Sequence, residues 1–249
     1  CARGLPIIHH LSSIAPADPG GPDLDRFDLL ETISEELDAA LTCEDIAIWS
    51  VGPQALPYFT SPLLSREGSS HVAAGLRMMD ARSRFLFAAE IPSFTVAAGE
   101  LSVGEYFHEL CALGGCKTVA DLSHVYSYAL CQGKDARAVL RSFPLQECIE
   151  VHIAGGRVSP HAPRRYVDSH SDPIMDEVLD LLDLAVSEAP NLRAITYELG
   201  VDLSLDQIER DLHRIDERLA ALGDAVLGRS HRAKPGKARL KEVIDLAQA

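Results

Sequence analysis

The sequence has no uninterrupted apolar run of membrane-spanning length, and its opening Cys1-Ala2-Arg3-Gly4 places no apolar signal core behind a basic leader. The expectation is therefore a cytoplasmic protein that does not engage a membrane. Low-complexity tracts are absent as well, and a chain 47% hydrophobic and 24% charged is not disordered or fibrous. Basic residues are scarce: 23 Lys and Arg stand against 37 Asp and Glu, a formal net charge of −14. Such a surface repels phosphate backbones at long range, which excludes nucleic acid as a general partner. Cysteine is sparse, and Cys1, Cys43, Cys111, Cys116, Cys131 and Cys148 form no C-x-x-C pair. The Ala-Leu-Gly-Gly spacer between Cys111 and Cys116 is looser than zinc-ribbon or dithiol redox motifs, so the six are read as structural thiols.

Short β-rich apolar runs alternate with stretches of helical periodicity. The runs are residues 5–10, 45–50, 84–90, 117–122, 148–153 and 192–198. Helices are expected at 24–41, 69–81, 103–113, 135–141, 173–188 and 204–222. In the first helix Asp23 or Asp25 is the expected cap, and Phe27, Leu29, Leu30, Ile33 and Leu37 mark its apolar face. This alternation predicts parallel β/α units closing on a barrel. With 249 residues and no Pro/Gly-rich divider, residues 1–222 read as one barrel domain. Residues 223–249 read as a basic linker and C-terminal helix, whose Arg229 to Lys241 stretch could meet an acidic partner.

The informative feature is where the polar residues fall. His9 and His10 close the first run, Glu90 the third, Asp121 the fourth, His152 the fifth and Glu198 the sixth. Carboxyl-terminal strand ends of a parallel barrel converge on one face, where active sites are built. His124 follows Asp121 in the next turn, and Asp168 and His170 lie in the loop after the fifth run. Any one of these alone is an ordinary core histidine or helix-capping acid. Gathered together they would repel one another unless cations neutralised them. Carboxylates and imidazoles without an obligatory thiolate suit iron, manganese or zinc, and there are more of them than one ion can use.

These motifs resemble the multinuclear non-heme iron-dependent oxidative enzymes that modify ribosomally made peptides, a family with TIM-type (β/α)8 barrels. Glu150-Val151-His152-Ile153-Ala154-Gly155-Gly156 resembles its H-x-A-G strand, and Val167-Asp168-Ser169-His170 its D-x-H loop. Thr196-Tyr197-Glu198, Ala89-Glu90-Ile91-Pro92-Ser93 and Val119-Ala120-Asp121 resemble its glutamate and aspartate strands, and His9-His10 its early histidine. Three departures stand out. Trp49 or a neighbour occupies the place of a histidine expected at the end of the second run. His124 stands where an asparagine is usual. The first two β/α units of the barrel are not seen before Leu5.

The resemblance implies a metal set drawn from His9, His10, Glu90, Asp121, His124, His152, Asp168, His170 and Glu198, with Asp121, His124 and His170 also acting in catalysis. It implies two or three iron ions in mixed valence and dioxygen as co-substrate. The target would be a residue, foremost a cysteine, of a precursor peptide delivered by a leader-binding partner protein. Arg157, Arg164 and Arg165 lie between the two central motifs and are candidates for contacting that peptide. The competing readings are a metal-dependent isomerase or hydrolase similar to the xylose isomerase and endonuclease IV group, and a degenerate barrel that only binds peptide.

Overall fold

A computed structural model describes residues 6–230, except 95 and 162. Strand β1, Ile7–His10, leads through a loop into α1, Leu24–Leu37. The Asp23 carboxylate caps α1 by accepting from Arg26 N–H, and Asp38 ends it in a left-handed conformation at φ 54°. Residues 39–41, which the sequence pattern assigns to the helix, instead open β2, Ala39–Asp45. The expected strand at 45–50 is thereby corrected. Its second half, β3 (Ile48–Val51), pairs antiparallel with β4 (Gln54–Thr60) in a separate hairpin. The buried acids Glu44 and Asp45 break the apolar signature of β2, while Ile46 to Val51 supply a more hydrophobic run just beyond it.

The remaining expected strands form where the pattern placed them. Helix α2, Arg66–Asp80, precedes β5, Phe87–Glu90. Helix α3, Val103–Gly114, opens with a reciprocal Ser102–Glu105 capping box and leads to β6, Lys117–Asp121. Two helices follow, α4 (Leu122–Gln132) and α5 (Ala136–Ser142), of which only the second was expected. Strand β7, Cys148–Ala154, is joined through the hairpin β8 (Gly156–Val158) and β9 (Tyr166–Asp168) to α6, Asp176–Glu188. Strand β10, Ala194–Glu198, and α7, Leu205–Ser230, complete the described chain. Helix α7 continues past the expected end at Leu222, and residues 231–249 of the expected basic tail lie outside the described residues.

Six strands form one parallel sheet in the order β1-β2-β5-β6-β7-β10, which is chain order. Every crossover returns to the next neighbour, so the crossover helices collect on one face and the sheet is six strands of a TIM-type barrel wall. Phe87, Ala89, Ala120, Val151 and Ile153 face the main core, among Leu76, Phe107, Leu110, Val125 and Leu182. The opposite face carries a smaller cluster of Ile8, Leu41, Cys43, Ala88, Val119 and Ile149.

Helix α1 departs from its expected packing. Phe27, Glu31 and Ser34 are buried, whereas Leu29, Ile33 and Leu37 are exposed. Glu31 is tolerated inside because it accepts from Ser83 Oγ–H and Arg84 N–H, at 3.0 and 2.9 Å. None of the helices in the described residues is long and apolar enough to cross a membrane.

Candidate metal centre

Strand periodicity builds the site. Two residues beyond Ile8, Cys43, Ala88 and Val119 on the inner face come His10, Asp45, Glu90 and Asp121. The same step along β7 and β10 leads from Glu150 to His152 and from Thr196 to Glu198, with Thr196 paired to His152. All six parallel strands thus contribute a carboxylate or imidazole at the same end of the sheet.

The side chains meet in two groups that share Glu90. Ligand atoms of His10, Glu90, His152 and Glu198 lie within 4.8 Å of one another, as do those of Asp45, Glu90 and His124. His10 Nε2 is 2.8 Å from Glu90 Oε2, and His152 Nδ1 is 2.9 Å from Glu90 Oε1 and 3.1 Å from Glu198 Oε1. Beside them, His124 Nε2 is 2.8 Å from Asp168 Oδ2 and 3.9 Å from Asp121 Oδ2. His170 Nε2 lies 3.3 Å from Asp168 and 3.6 Å from Glu198.

Local geometry dictates each pose. Asp121 caps α4 by accepting from His124 N–H, which fixes that histidine one turn beyond the strand end. His170 adopts φ 53° in a loop clamped from both sides: its N–H donates to Gly155 O at 2.9 Å, and its carbonyl accepts from Gly200 N–H at 2.6 Å. A side chain at Gly155 would have its Cβ 1.6 Å from Asp172 O, and one at Gly200 would meet His170 O at 2.6 Å. Both glycines are therefore required by close approach of the loop that carries Asp168 and His170.

The histidine tautomers are set from outside the cluster. A carbonyl oxygen only accepts, so His10 Nδ1–H donates to Leu11 O at 2.7 Å and His124 Nδ1–H to Ile91 O at 2.6 Å. Each leaves Nε2 turned toward the carboxylates, the arrangement expected of an imidazole metal ligand. Without a cation the cluster must store protons. Burial opposes charge on His10, but the adjacent Glu90 outweighs it and pushes the imidazole up to about 11. His124 and His152 are likewise raised well above the usual range, by Asp121 and Asp168 and by Glu90 respectively, against the effect of burial. Burial raises Asp121 to about 6 and Asp45 well above the ordinary carboxyl value, whereas neighbouring imidazoles overcome burial to hold Glu90 and Asp168 low.

Even so, Asp45 Oδ1, Asp121 Oδ2 and Asp168 Oδ1 are buried without a hydrogen-bond partner. Orphaned anionic oxygens beside imidazole nitrogens are the donor set of a hard or borderline cation, so these residues fit a metal.

The sequence-derived candidates separate accordingly. His10, Glu90, Asp121, His124, His152, Asp168, His170 and Glu198 come together. His9 does not, because its Nδ1 is engaged with Ser34 Oγ at 2.8 Å on the helix side. Trp49 stands in the β3–β4 hairpin, not at the end of a parallel strand; that end is Asp45, which sequence reasoning missed. Its parity with Cys43 would have revealed it had β2 been placed correctly. Of the three residues expected in catalysis, His124 and His170 line the cavity above the cluster, whereas Asp121 is fully buried behind His124. Arg157 pairs with Asp172, and Arg164 and Arg165 are exposed on the β8–β9 loop, away from the cavity wall.

That cavity encloses about 270 Å³ and is lined by His10, Asp45, Glu90, His124, Asp168, His170 and Glu198, with Tyr58 and Phe59 as its non-ligand wall. The two aromatics come from an irregularity in the hairpin: Ile48 pairs with Thr60 but Ser50 with Ala55, which expels Leu56 to Phe59 from the ladder. Phe59 packs on Trp49 at 5.1 Å and on Tyr58 at 4.5 Å. The hairpin is tied to the loop after β1 by Asp18, whose carboxylate accepts from Trp49 N–H at 2.6 Å and Ser50 N–H at 3.1 Å, and from the Ser50 hydroxyl. A larger cavity of about 460 Å³ lies behind that tie, away from the imidazole cluster.

A UPF0276 protein of Streptomyces avermitilis is 25% identical over 242 residues, covering 89% of this chain and 47% of that protein. One from Rhizorhabdus wittichii is 24% identical over 187 residues, covering 74% of this chain and 65% of the relative. The chain thus spans less than two thirds of the length of these relatives. Among solved structures, an IolI protein with a bound zinc atom aligns over 86% of this chain and 70% of its own at TM-score 0.45 and 13% identity. A xylose isomerase-like TIM barrel/4-hydroxyphenylpyruvate dioxygenase fusion protein aligns over 87% and 33% at TM-score 0.49 and 14% identity. The sequence profile of the RiPP precursor modification enzyme MbnB/TglH/ChrH matches residues 1–219, and the chain belongs to that family.

Proposed function

We propose that this chain holds two or three iron ions at the mouth of its barrel wall and, with dioxygen, oxidises a residue of a ribosomally made precursor peptide, foremost a cysteine. The observation that carries the reading is the convergence of all six parallel strand ends on one cluster of carboxylates and imidazoles, four of them lining one cavity, with three orphaned carboxylate oxygens. The family match supports a peptide substrate.

In this reading His10, Glu90, His152 and Glu198 hold one ion, and Asp45, Glu90 and His124 a second. Asp121, Asp168 and His170 complete the second position or form a third. Iron bound there supplies dioxygen activation and accepts electrons from the substrate. The protein's own part is to fix the ligands and shape access. Tyr58 and Phe59 present the apolar wall against which a peptide side chain is held, and the half-open mouth at His10 and His170 admits it. A partner protein that binds the leader would deliver the peptide, with exposed Arg164 and Arg165 as contacts for its backbone or acidic groups.

The test is co-expression of the iron-replete chain with each small open reading frame beside its gene, read by peptide mass. An iron- and dioxygen-dependent mass change in one peptide supports the proposal. Turnover with zinc or manganese under anaerobic conditions would move the assignment to a hydrolase or isomerase, and unaltered peptides throughout would leave a binding protein.

A further inference from the structure

His152 differs from the other two inner histidines. His10 and His124 are anchored by neutral backbone carbonyls, whereas the outward nitrogen of His152 faces a carboxylate. Its Nε2 lies 3.1 Å from Glu150 Oε1, while its Nδ1 faces Glu90 and Glu198. Glu150 is fully buried on the inner face of β7, one step below the cluster, and accepts from the Thr196 hydroxyl at 2.6 Å. Its other oxygen, Oε2, is buried without a partner. Cys43 Sγ completes the surroundings, within 4.8 Å of ligand atoms of both Glu150 and His152. Among the described residues, neither lysine nor arginine is paired with this group. A buried, partly satisfied carboxylate is costly to keep beside apolar residues such as Val119, its register partner on β6.

The geometry points to Glu150 as a positioning and charge-tuning residue: it holds the proton of His152 on Nε2, directs Nδ1 to the metal, and makes the His10–Glu90–His152–Glu198 position more electron-rich than the Asp45–Glu90–His124 position. This rests on the metal-centre reading above. A carboxylate behind a ligating imidazole raises its basicity, whereas a carbonyl fixes the tautomer with less charge. The two positions are thus chemically unequal although they share Glu90. The first stabilises the more oxidised ion, and the second leaves its ion more easily reduced.

The experiment uses the full chain, Glu150→Gln and Glu150→Ala, titrated anaerobically with Fe(II) against a chelator, followed by redox titration. Gln keeps the size and an accepting oxygen but removes the charge. The expected result is that one binding phase weakens about 10- to 100-fold and one iron couple shifts to higher potential, while the other phase and couple stay as in wild type. Independently of any variant, ¹⁵N-histidine spectra of the Zn(II)-loaded wild-type chain should show His152 protonated at Nε2 and metal-bound at Nδ1. Unchanged affinity and potentials in both variants, or a His152 bound through Nε2, would overturn the inference while leaving the metal centre intact. So would loss of a whole metal equivalent in Cys43→Ala, since the trio would then be a metal site itself. A wild-type chain that binds no Fe(II) would overturn both readings.

Discussion

At the residue scale, neighbouring side chains of the same type differ in fate because of which face of a strand they occupy. His9 and His10 are adjacent, yet only His10 reaches the carboxylates. His10→Ala and Asp45→Ala are therefore expected to lose bound metal, and His9→Ala to retain it, as elemental analysis of the purified variants will show. Strand-end parity made most of this set legible in the sequence. Asp45 was not legible as a ligand, because the more hydrophobic run from Ile46 draws the expected strand to 45–50 and puts Asp45 at its start and not at its end. Glu44 beside it faces the other way and accepts from Ile14 N–H at 2.9 Å and Ala15 N–H at 3.3 Å, holding the loop after β1. Burial outweighs those bonds and pushes Glu44 up to about 7 from an ordinary 4.5. An acid raised on folding contributes stability that is present below its unfolded value and lost as pH rises through the folded one. On the order of 3 kcal/mol should thus fade between those two pH values, and Glu44→Gln should flatten that slope in denaturant titrations followed across the same range.

At the element scale, the parallel strands other than β2, and most of their helices, were readable from alternating hydrophobic periods, because each is half or wholly buried against one core. The β3–β4 hairpin and α4 were not. The hairpin has no charged residue between Ile48 and Thr60, and its apolar character reads as buried strand although much of it covers a site instead. Helix α4 begins at the residue after β6 ends, so no loop signal separates the two. Trp49, the one tryptophan of the chain, reports on the hairpin. Asp18→Ala removes the carboxylate that ties it down and should shift tryptophan emission to the red while far-ultraviolet dichroism stays unchanged. The loop after β9 is tested by Gly155→Ala. Its Cβ cannot be accommodated against Asp172 O, and the forced shift should cost about 1 to 3 kcal/mol and release the metal that Asp168 and His170 help to hold.

For the whole molecule, the central feature is a net charge of −14 with many of its buried acids gathered at one end of a parallel sheet. A chain arranged in this way keeps its acids inside by pairing them with protonated imidazoles or with cations. Metal and protons therefore compete for the same nitrogens. Since His10 holds its proton up to about 11, metal binding must release protons, and affinity should fall steadily as pH is lowered, which isothermal titration in buffers of different ionisation enthalpy will measure. Metal at a hundredfold excess over its dissociation constant should stabilise the fold by about 2.7 kcal/mol, seen as a rise in Tm that a chelator reverses. The measurement that bears most directly on the account is elemental analysis with Mössbauer spectroscopy of protein produced in iron-supplemented cells and purified without chelators. Two or more irons per chain with coupled spins are predicted, and a chain that retains no metal under those conditions would contradict it.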